Sequence, residues 1–492
     1  LQQVKVRHPY YYREMFIPQP TAGPGSVTWS PDGTELVYSM QGSLWLQRVG
    51  TTEARQLTDG PGYDYQPDWS ADGRRIVYAS YRDDAIELRL LDPATGDDTP
   101  LLANGAVNLE PRWSPDGKRI AFTSSAYEGR WHIFTAEIGA EGRAANVKRL
   151  TDDRESGLPR YYYGTVDQWL SPTWSPDGSE LIALSNRGHI WGAGGFWRLP
   201  AGSGGAPREI HYEETTWKAR PDWSRDGRRV VYSSYLGRQW HQLWLMTPEG
   251  GDPLQLTYGD FDATAPRWSP GGRRIAYISN QGGNTSLWTV DVPGGRRVQV
   301  RAVTRVYRAP VGKIRLVVSD AATGREMPAR VSLTGADGRS YAPDDAWRHA
   351  DDGFDRSERK FEYGYFHTSG RSLVTLPTGD FAIEVSRGPE FRVETRQVVV
   401  VAGKTATLQV RLRRLDDLAA RGWYGGDLHV HMNYGGAYRN DPRHLAAQAR
   451  AEDLAVVENL IVNKEGRIPD VEYFRGILDP VSTASTIVKH DQ

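Results

Sequence analysis

The chain has 492 residues, with 60 Lys and Arg against 61 Asp and Glu, so its formal net charge is -1. This length allows two to four domains, and a hydrophobic fraction of 39% excludes a chain that is disordered throughout. The balanced charge argues against a nucleic-acid partner, and no apolar run reaches the roughly 18 residues of a membrane span. The absence of cysteine excludes disulfides and thiolate metal sites. Because the chain begins at Leu1 without a signal-type segment, we expect a mature or trimmed product.

A repeated motif dominates the first 305 residues. Trp-Ser-x-x-Gly occurs six times, at 40- to 61-residue intervals, and its fullest copies read Trp-Ser-Pro-Asp-Gly. In each copy Pro fits a type I turn and Gly fits its last corner. The six copies start at Trp29, Trp69, Trp113, Trp174, Trp223 and Trp268.

Each copy predicts four strands. One strand enters through the Trp and a second leaves through an alternating run such as Arg75–Tyr78. A third follows, and a fourth is expected at Gln56–Thr58, Arg149–Thr151 or Gln255–Thr257. Four strands per roughly 45 residues is the period of a propeller blade. The sequence therefore predicts an N-terminal arm over 1–21 and a six-bladed β-propeller over 22–305.

These repeats resemble the TolB-like propellers of bacterial envelope proteins and of some peptidases. The resemblance implies a periplasmic or secreted location, but it does not indicate which function the propeller has. The longest interval contains an insertion with Tyr161-Tyr162-Tyr163. These rings are expected to pack against the propeller, and a binding rim is the alternative.

The Trp-Ser repeat stops after Arg305, and residues 306–415 form a different β unit. Strands are predicted at Lys313–Val318, Ala329–Thr334, Ser372–Pro377, Phe381–Val385, Val393–Val401 and Ala406–Leu412. The charged stretch Asp344–Arg359 is predicted as a loop. This spacing favours a small β-sandwich. It resembles the transthyretin-like or carboxypeptidase-regulatory-like modules that join domains in secreted hydrolases, which implies a linker role.

The residues that carry chemistry are in the last unit, 416–492. The string Gly426-Asp427-Leu428-His429-Val430-His431-Met432 reads as a strand. Because side chains alternate along a strand, Asp427, His429 and His431 share one face, and Leu428, Val430 and Met432 pack on the other. Two imidazoles beside a carboxylate can converge on a divalent cation such as Zn, Mn or Fe.

A βαβ unit is predicted around this string. Asn440 or Asp441 can cap a helix that starts at Pro442, and His444 in that helix is expected to face solvent. The run Leu454–Val462 is then a second strand. Ligands of α/β barrels lie at the carboxyl ends of such strands.

This unit resembles the start of a metallohydrolase domain in the carbaryl-hydrolase-like branch of the polymerase-and-histidinol-phosphatase (PHP) superfamily. The resemblance implies an incomplete α/β barrel-type domain that hydrolyses ester, amide, carbamate or phosphoester bonds with one to three metals. It also implies that His429 and His431 hold a metal and that Asp427 orients a ligand. His490 lies at the threshold of a later expected ligand and is a third metal candidate.

Two features depart from that family. A metal-binding His is missing after the second strand, where Asn463 and Glu465 are the oxygen ligands available. Only about 70 of the roughly 200–250 residues of a barrel are present, so we expect a second chain or C-terminal fragment to complete it. The sequence thus favours a metal-dependent hydrolase acting on a small molecule or peptide, with a propeller that gates or recognises substrate. The alternative is an envelope binding or scaffold protein with an inactive C-terminal domain.

Overall fold

The computed structural model describes residues 21–82, 85–139, 141–160, 164–191, 193–202, 205–214, 218–351, 360–462 and 467–491. Tyr161–Tyr163, Asn463 and Glu465 lie outside these ranges. The described part of the chain is mainly β, with one α-helix, and none of its helices is long and apolar enough to cross a membrane.

The region of the repeats forms six consecutive sheets, each built on four antiparallel strands, in a propeller-like arrangement. The strands of the first three sheets are β1 (Pro24–Trp29), β2 (Glu35–Met40), β3 (Ser43–Arg48) and β4 (Glu53–Gln56); β5 (Tyr63–Trp69), β6 (Ile76–Arg82), β7 (Ala85–Leu91) and β8 (Asp98–Leu102); and β9 (Asn108–Trp113), β10 (Arg119–Tyr127), β11 (Arg130–Ile138) and β12 (Ala144–Arg149). Those of the last three are β13 (Trp169–Trp174), β14 (Glu180–Ser185), β15 (Gly195–Pro200) and β16 (Arg208–His211); β17 (Asp222–Trp223), β18 (Val230–Ser234), β19 (Gln242–Thr247) and β20 (Gly250–Gln255); and β21 (Ala263–Trp268), β22 (Arg274–Ser279), β23 (Ser286–Asp291) and β24 (Arg297–Val300).

The first strands of the six sheets contact one another in a closed cycle. Strand β1 contacts β5, each later first strand contacts the next, and β21 returns to β1. Strand β25 (Thr304–Val306) then pairs in parallel with β4 at the outer edge of the first sheet. The apolar faces of neighbouring sheets are buried against each other, which is what a single sheet could not achieve alone.

Hydrogen bonds explain the Ser and Asp of the repeated turn. Ser224 Oγ donates to Asp226 Oδ1 at 2.6 Å and accepts the main-chain N–H of Arg229 at 3.0 Å. The same serine-to-aspartate bond occurs in the first five copies. The hydroxyl lowers the pKa of each Asp, to about 2 at Asp177. Charge-assisted bonds therefore lock the turn between the first two strands of a sheet.

The fourth strand lies earlier than predicted. Gln56, Arg149 and Gln255 end their strands, and the Leu-Thr that follows each of them is not part of the ladder. Instead the Thr hydroxyl accepts a main-chain N–H of the third strand, as Thr58 does from Leu44 at 2.9 Å. Of the three leucines, Leu57 is buried and Leu150 and Leu256 are half-buried, so each segment resembles a strand in sequence.

Eleven further strands follow. In the middle unit they are β26 (Val311–Asp320), β27 (Ala329–Gly335), β28 (Arg348–Asp351), β29 (Tyr363–Thr368), β30 (Arg371–Pro377), β31 (Gly379–Ser386), β32 (Glu394–Val400) and β33 (Thr405–Leu412). They form a three-stranded sheet, β30-β26-β33, and a five-stranded sheet, β28-β29-β27-β31-β32, whose buried side chains share one core. The prediction of a loop over Asp344–Arg359 was wrong at its centre, because β28 pairs with β29 there.

The last unit contains a parallel sheet with the order β34-β35-β36. A 3₁₀ turn (Ala419–Arg421) precedes β34 (Gly426–Val430), α1 (Pro442–Ala451) connects it to β35 (Val456–Leu460), and a second 3₁₀ turn (Val471–Tyr473) precedes β36 (Ile487–Asp491). The predicted cap is Asp441, whose carboxylate accepts the His444 N–H at 2.8 Å. The strand–helix–strand order agrees with the prediction.

The middle and last units meet the propeller at the loops between second and third strands. Arg467 Nη1 donates to the Gln239 carbonyl at 3.2 Å, and Arg439 N donates to the Gly283 carbonyl at 2.9 Å. Gln239 and Gly283 lie in the β18–β19 and β22–β23 loops. These loops are at the opposite ends of the strands from the Trp-Ser turns, so the C-terminal unit covers the face away from the tryptophans.

An aromatic and histidine cluster joins the middle unit to the last one. The His444 ring stacks on Trp347 with centroids 3.5 Å apart, and Trp347 stacks on Tyr438 at 4.7 Å. The expectation that His444 faces solvent was wrong, because Trp347, in the loop before β28, stacks on its ring and leaves the residue half-buried. Nearby, His349 lies 3.2 Å from the Gln448 amide. Burial lowers the pKa of His444 to about 4 and that of His349 to about 3.

Replacing the turn serine tests how the repeat is stabilised. Ser224→Ala loses both the bond to Asp226 and the Arg229 N–H, whereas Ser269→Ala loses only the Arg274 N–H bond, because Gly271 replaces the Asp. At about 1 kcal/mol per bond, we expect a loss of about 2 kcal/mol for Ser224→Ala and about 1 kcal/mol for Ser269→Ala in urea unfolding. Equal losses would contradict a role for the aspartate.

The histidine cluster should make stability fall in acid. Since both folded-state pKa values are below the ordinary value of 6.5, protons bind the unfolded chain first. The stabilisation is complete above about pH 6.5, and each ring loses on the order of 1 kcal/mol per pH unit as the pH falls towards 4. We expect the double variant His349→Gln/His444→Phe to flatten this slope in urea unfolding between about pH 7 and pH 5. An unchanged slope would show that other groups take up the protons.

Candidate functional site

The two predicted metal-binding histidines lie side by side at the end of β34. Their ring centroids are 5.0 Å apart, with the ring planes nearly perpendicular at 89°. His429 is exposed and His431 is half-buried. Both rings are therefore on the same side of the sheet edge and close enough for one cation to reach both.

A bulge, and not simple alternation, sets the direction of His429. Asp427 pairs with Val457 and Val430 pairs with Asn459, so β34 has one residue more than β35 between these pairs. Asp427 Oδ1 accepts the main-chain N–H of His429 at 3.0 Å, which holds the bulge closed. The carboxylate thus touches the backbone of His429.

The same bulge overturns one packing expectation. Val430 and Met432 contact the small core under α1, as predicted. Leu428 does not, because the extra residue turns it outward and leaves 61% of its surface exposed.

His431 has a defined proton arrangement. Its Nδ1 lies 2.8 Å from the carbonyl oxygen of Leu460, so Nδ1 carries the hydrogen and donates it. The tautomer leaves the Nε2 lone pair available, which is the pattern of a histidine that binds metal through Nε2. The ring also packs against Tyr434, with centroids 5.1 Å apart.

His490 occupies a different environment. It is 1% exposed on β36, with Nε2 3.1 Å from Asp479 Oδ2 and Nδ1 3.1 Å from the Asn459 amide nitrogen. Both ring nitrogens are engaged in these bonds, and Tyr473 stacks on the ring. To bind a cation, His490 would have to leave one of these partners.

Sequence reasoning missed a buried polar network beside the histidines. Asn459 is fully buried, and its Oδ1 accepts the Met432 N–H at 2.9 Å while its amide nitrogen faces His490. Asn433 donates to Asp470 Oδ1 at 2.7 Å, and burial raises the pKa of Asp470. The available signal was a polar Asn459 inside a mostly apolar strand, in which Glu458 is the other polar residue. This network joins the carboxyl ends of all three strands.

The donor set tests whether a metal fits. Catalytic zinc sites hold three protein ligands, and His429 with His431 supplies two. Within the ranges that the structure describes, no group of three or more His, Asp or Glu side chains could hold a metal ion. Of the other candidates, Asp427 bonds to the backbone and His490 is engaged, whereas Asn463 and Glu465 lie outside the described residues. The described residues therefore supply only part of the ligand set that a catalytic metal ion needs.

Comparisons with known proteins concern the propeller. Residues 17–157 match the family described as TolB beta propeller domain. An uncharacterized protein of Agrobacterium fabrum is 31% identical over 121 residues, which is 24% of this chain and 39% of that protein. An uncharacterized peptidase of Bacillus subtilis is 28% identical over 119 residues, 24% of this chain and 18% of that protein. The chain thus matches less than half the length of these relatives.

A solved structure is also similar to this chain. TolB from Acinetobacter baumannii covers 60% of this chain and 67% of its own, with 21% identity and a TM-score of 0.43. The prediction of a TolB-like β-propeller is confirmed by the family match. The metallohydrolase resemblance of the C-terminal unit and its site residues remain predictions.

Removing the centre of the polar network should destabilise the C-terminal unit. Asn459→Ala leaves the Met432 N–H and the His490 Nδ1 without their partner in a buried position. Because each unsatisfied buried group costs about 1–3 kcal/mol, we expect a loss of at least about 2 kcal/mol in the unfolding of this unit. Gln409→Ala, an exposed amide on parallel strand β33, is the matched control and should change little. Similar effects of both changes would contradict the assigned role.

Proposed function

We propose that the chain belongs to a metal-dependent hydrolase of ester, amide, carbamate or phosphoester bonds. The observation that carries the proposal is the pair of adjacent rings of His429 and His431 at the carboxyl end of a parallel strand. That end is where α/β proteins place their active sites. Zn, Mn or Fe suits such imidazole ligands, and a bound ion would supply Lewis-acid chemistry to a scissile carbonyl or phosphoryl group.

The residues of the chain would divide the work as follows. His431 would bind the ion through Nε2, because the Leu460 carbonyl accepts its Nδ1 hydrogen, and His429 would bind from the bulge that Asp427 closes. The Asn459 network fixes the strand ends from which both rings project. Further ligands would come from His490 after it leaves Asp479, from Asn463 or Glu465, or from a second chain or C-terminal fragment.

The remaining assignments fit this proposal. The six sheets would be the blades of a complete propeller over 22–305 that recognises a small-molecule or peptide substrate. Residues 306–415 would be a β-sandwich linker and 416–492 the start of the hydrolase domain. A periplasmic or secreted location is supported by the TolB-like match.

A binding or scaffold role in the envelope is the second candidate. It is favoured by the partial donor set, since the described residues supply no group of three metal-binding side chains. In this case the C-terminal unit would be catalytically inactive and the propeller would dock a partner.

Metal content separates the two candidates. Purified protein is loaded with Zn, Mn or Fe(II), dialysed, and assayed for bound metal and for hydrolysis of aryl ester and aryl phosphate substrates. We expect His429→Ala and His431→Ala each to lower metal affinity at least tenfold, because a two-imidazole site cannot lose one ligand and keep its affinity. His189→Ala, in the propeller, is the control and should bind normally.

Two outcomes would overturn the hydrolase proposal. Full metal content and activity in both variants would exclude these histidines as ligands. Wild-type protein that neither binds metal nor hydrolyses any substrate would leave the scaffold candidate.

A further inference from the structure

A cavity of about 340 Å³ lies at the centre of the propeller, on the face away from the C-terminal unit. This volume is within the range of small-molecule sites, about 300–1,000 Å³. The tryptophans of all six Trp-Ser turns line it, together with the residue that precedes each one. The six preceding residues are Thr28, Asp68, Arg112, Thr173, Asp222 and Arg267.

These six residues repeat the order Thr, Asp, Arg twice around the ring. The indole N–H groups follow the same two-fold pattern. Trp29 and Trp174 donate to the carbonyls of Arg267 and Arg112 at 3.1 and 3.0 Å. Trp69 and Trp223 donate to the glycine of their own turn at 3.0 and 3.2 Å. The remaining pair, Trp113 and Trp268, have buried indole nitrogens without a hydrogen-bond partner among the described residues.

The charges in the cavity are not balanced. Three guanidinium groups, those of Arg112, Arg225 and Arg267, face the carboxylates of Asp68 and Asp222. Each carboxylate already accepts one main-chain N–H. The cavity therefore has an excess of positive charge, and part of the hydrogen-bonding capacity of its two carboxylates is already taken by main-chain N–H groups.

Arg112 is a buried group whose hydrogen-bonding capacity is only partly used. Its residue is 7% exposed, and its Nε donates to the Pro172 carbonyl at 3.3 Å. Its Nη1 has no hydrogen-bond partner among the described residues and lies 3.8 Å from Asp68 Oδ1. In contrast, Arg267 Nη1 is 3.3 Å from Asp222 Oδ1. A buried guanidinium nitrogen without an acceptor is costly, and an anionic oxygen from a ligand would relieve that cost.

Deeper in the propeller, beyond Arg112 and Arg267, the cavity narrows. Arg112 and Arg267 also line a second cavity of only about 20 Å³, on whose far side Arg220 Nε bonds Glu110 Oε1 at 2.9 Å. A ligand that enters between the tryptophans would therefore stop at the two arginines. The larger cavity is a pocket with an aromatic wall and a cationic floor.

We propose that this pocket binds a carboxylate attached to an apolar body. The carboxylate accepts hydrogen bonds from Arg112 Nη1 and from Arg267, and the apolar body packs against the tryptophan rings. Bidentate guanidinium–carboxylate bonds supply the specificity, and aromatic contact supplies the buried area. The proposal does not depend on the metal site, which lies on the other face of the propeller.

Acid should strengthen this binding. Burial raises the pKa of Asp68 to about 6 and that of Asp222 to about 7, against the opposing influence of Arg112 and Arg225. Arg267 also faces both carboxylates. When the two carboxyls are protonated, the guanidinium groups lose their competing partners and the ligand carboxylate becomes their main acceptor.

Isothermal titration calorimetry of the full chain with N-acetylphenylalanine tests the proposal, with N-acetylphenylalanine amide and inorganic phosphate as the comparison probes. We expect the acid to bind at least tenfold more tightly than the amide, and more tightly at about pH 5.5 than at about pH 8. Phosphate alone, which lacks the apolar body, should bind more weakly than the acid. Arg112→Gln should lose at least tenfold in affinity for the acid, whereas Arg228→Gln, an exposed arginine outside the pocket, should not change it.

A gain-of-affinity variant keeps the proposal testable if Arg112→Gln fails to fold. Asp68→Asn/Asp222→Asn removes the competing carboxylates and should raise the affinity for the acid at about pH 8 and flatten its pH dependence. Equal binding of acid and amide, unchanged affinity in folded Arg112→Gln, or no gain in the double Asn variant would each overturn the proposal. The double variant His429→Ala/His431→Ala should bind the acid normally, so failure of the metal proposal and failure of this one are distinguishable.

Discussion

The ring depends on one hydrogen bond that passes from sheet to sheet. At three of the six junctions between sheets, the main-chain N–H of the turn tryptophan is donated to the side chain that precedes the tryptophan of the previous sheet. Trp113 donates to Asp68 at 2.8 Å, and Trp268 donates to Asp222 at 2.7 Å. Thr173 accepts from Trp223 in the same way at 3.2 Å. The residue before each tryptophan must therefore be an acceptor for the ring or a group that faces the channel, and these demands fix the chemistry of the central pocket.

The backbone is bent so that this residue can face the channel. Three residues before the tryptophan, five of the six sheets have a non-glycine residue with positive φ, for example Glu110 at 52° and Arg220 at 42°. Register shifts in the first strands occur at the same place. Such conformations cost about 1–3 kcal/mol each and persist only where the surroundings enforce them. Their repetition around the ring indicates that the direction of the channel side chains is part of the repeat.

Much of the fold follows from local chemistry that the sequence displays. The Trp-Ser-x-Asp-Gly turn can be predicted because its Ser, Asp and Gly each have a local partner or conformation. The helix starting at Pro442 can be predicted because Asp441 accepts the His444 N–H three residues away. The failures concern contacts between segments distant in the chain. The cover over His444 comes from Trp347, and the bulge that exposes Leu428 depends on its register with β35. The pattern of Thr, Asp and Arg is present in the sequence, but only the closed ring shows that these six residues face one central pocket.

The two-fold pattern also identifies one pocket residue, Arg112, whose contacts are not explained by the packing of the ring alone. Arg112 and Arg267 occupy equivalent positions, and each donates its Nε to a carbonyl of the following sheet, at 3.3 Å to Pro172 and 3.2 Å to Val27. If both served only the ring, both would also bond the neighbouring aspartate. Arg267 does so at 3.3 Å, whereas the Nη1 of Arg112 stays 3.8 Å from Asp68 and has no acceptor within the part of the chain that the structure describes. Since Arg112 is buried, with only 7% of its surface exposed, its unpaired nitrogen costs stability that a ring-forming role does not require. The departure from symmetry therefore distinguishes Arg267, which bonds its neighbouring aspartate, from Arg112, whose Nη1 is the donor that the proposed carboxylate ligand would use.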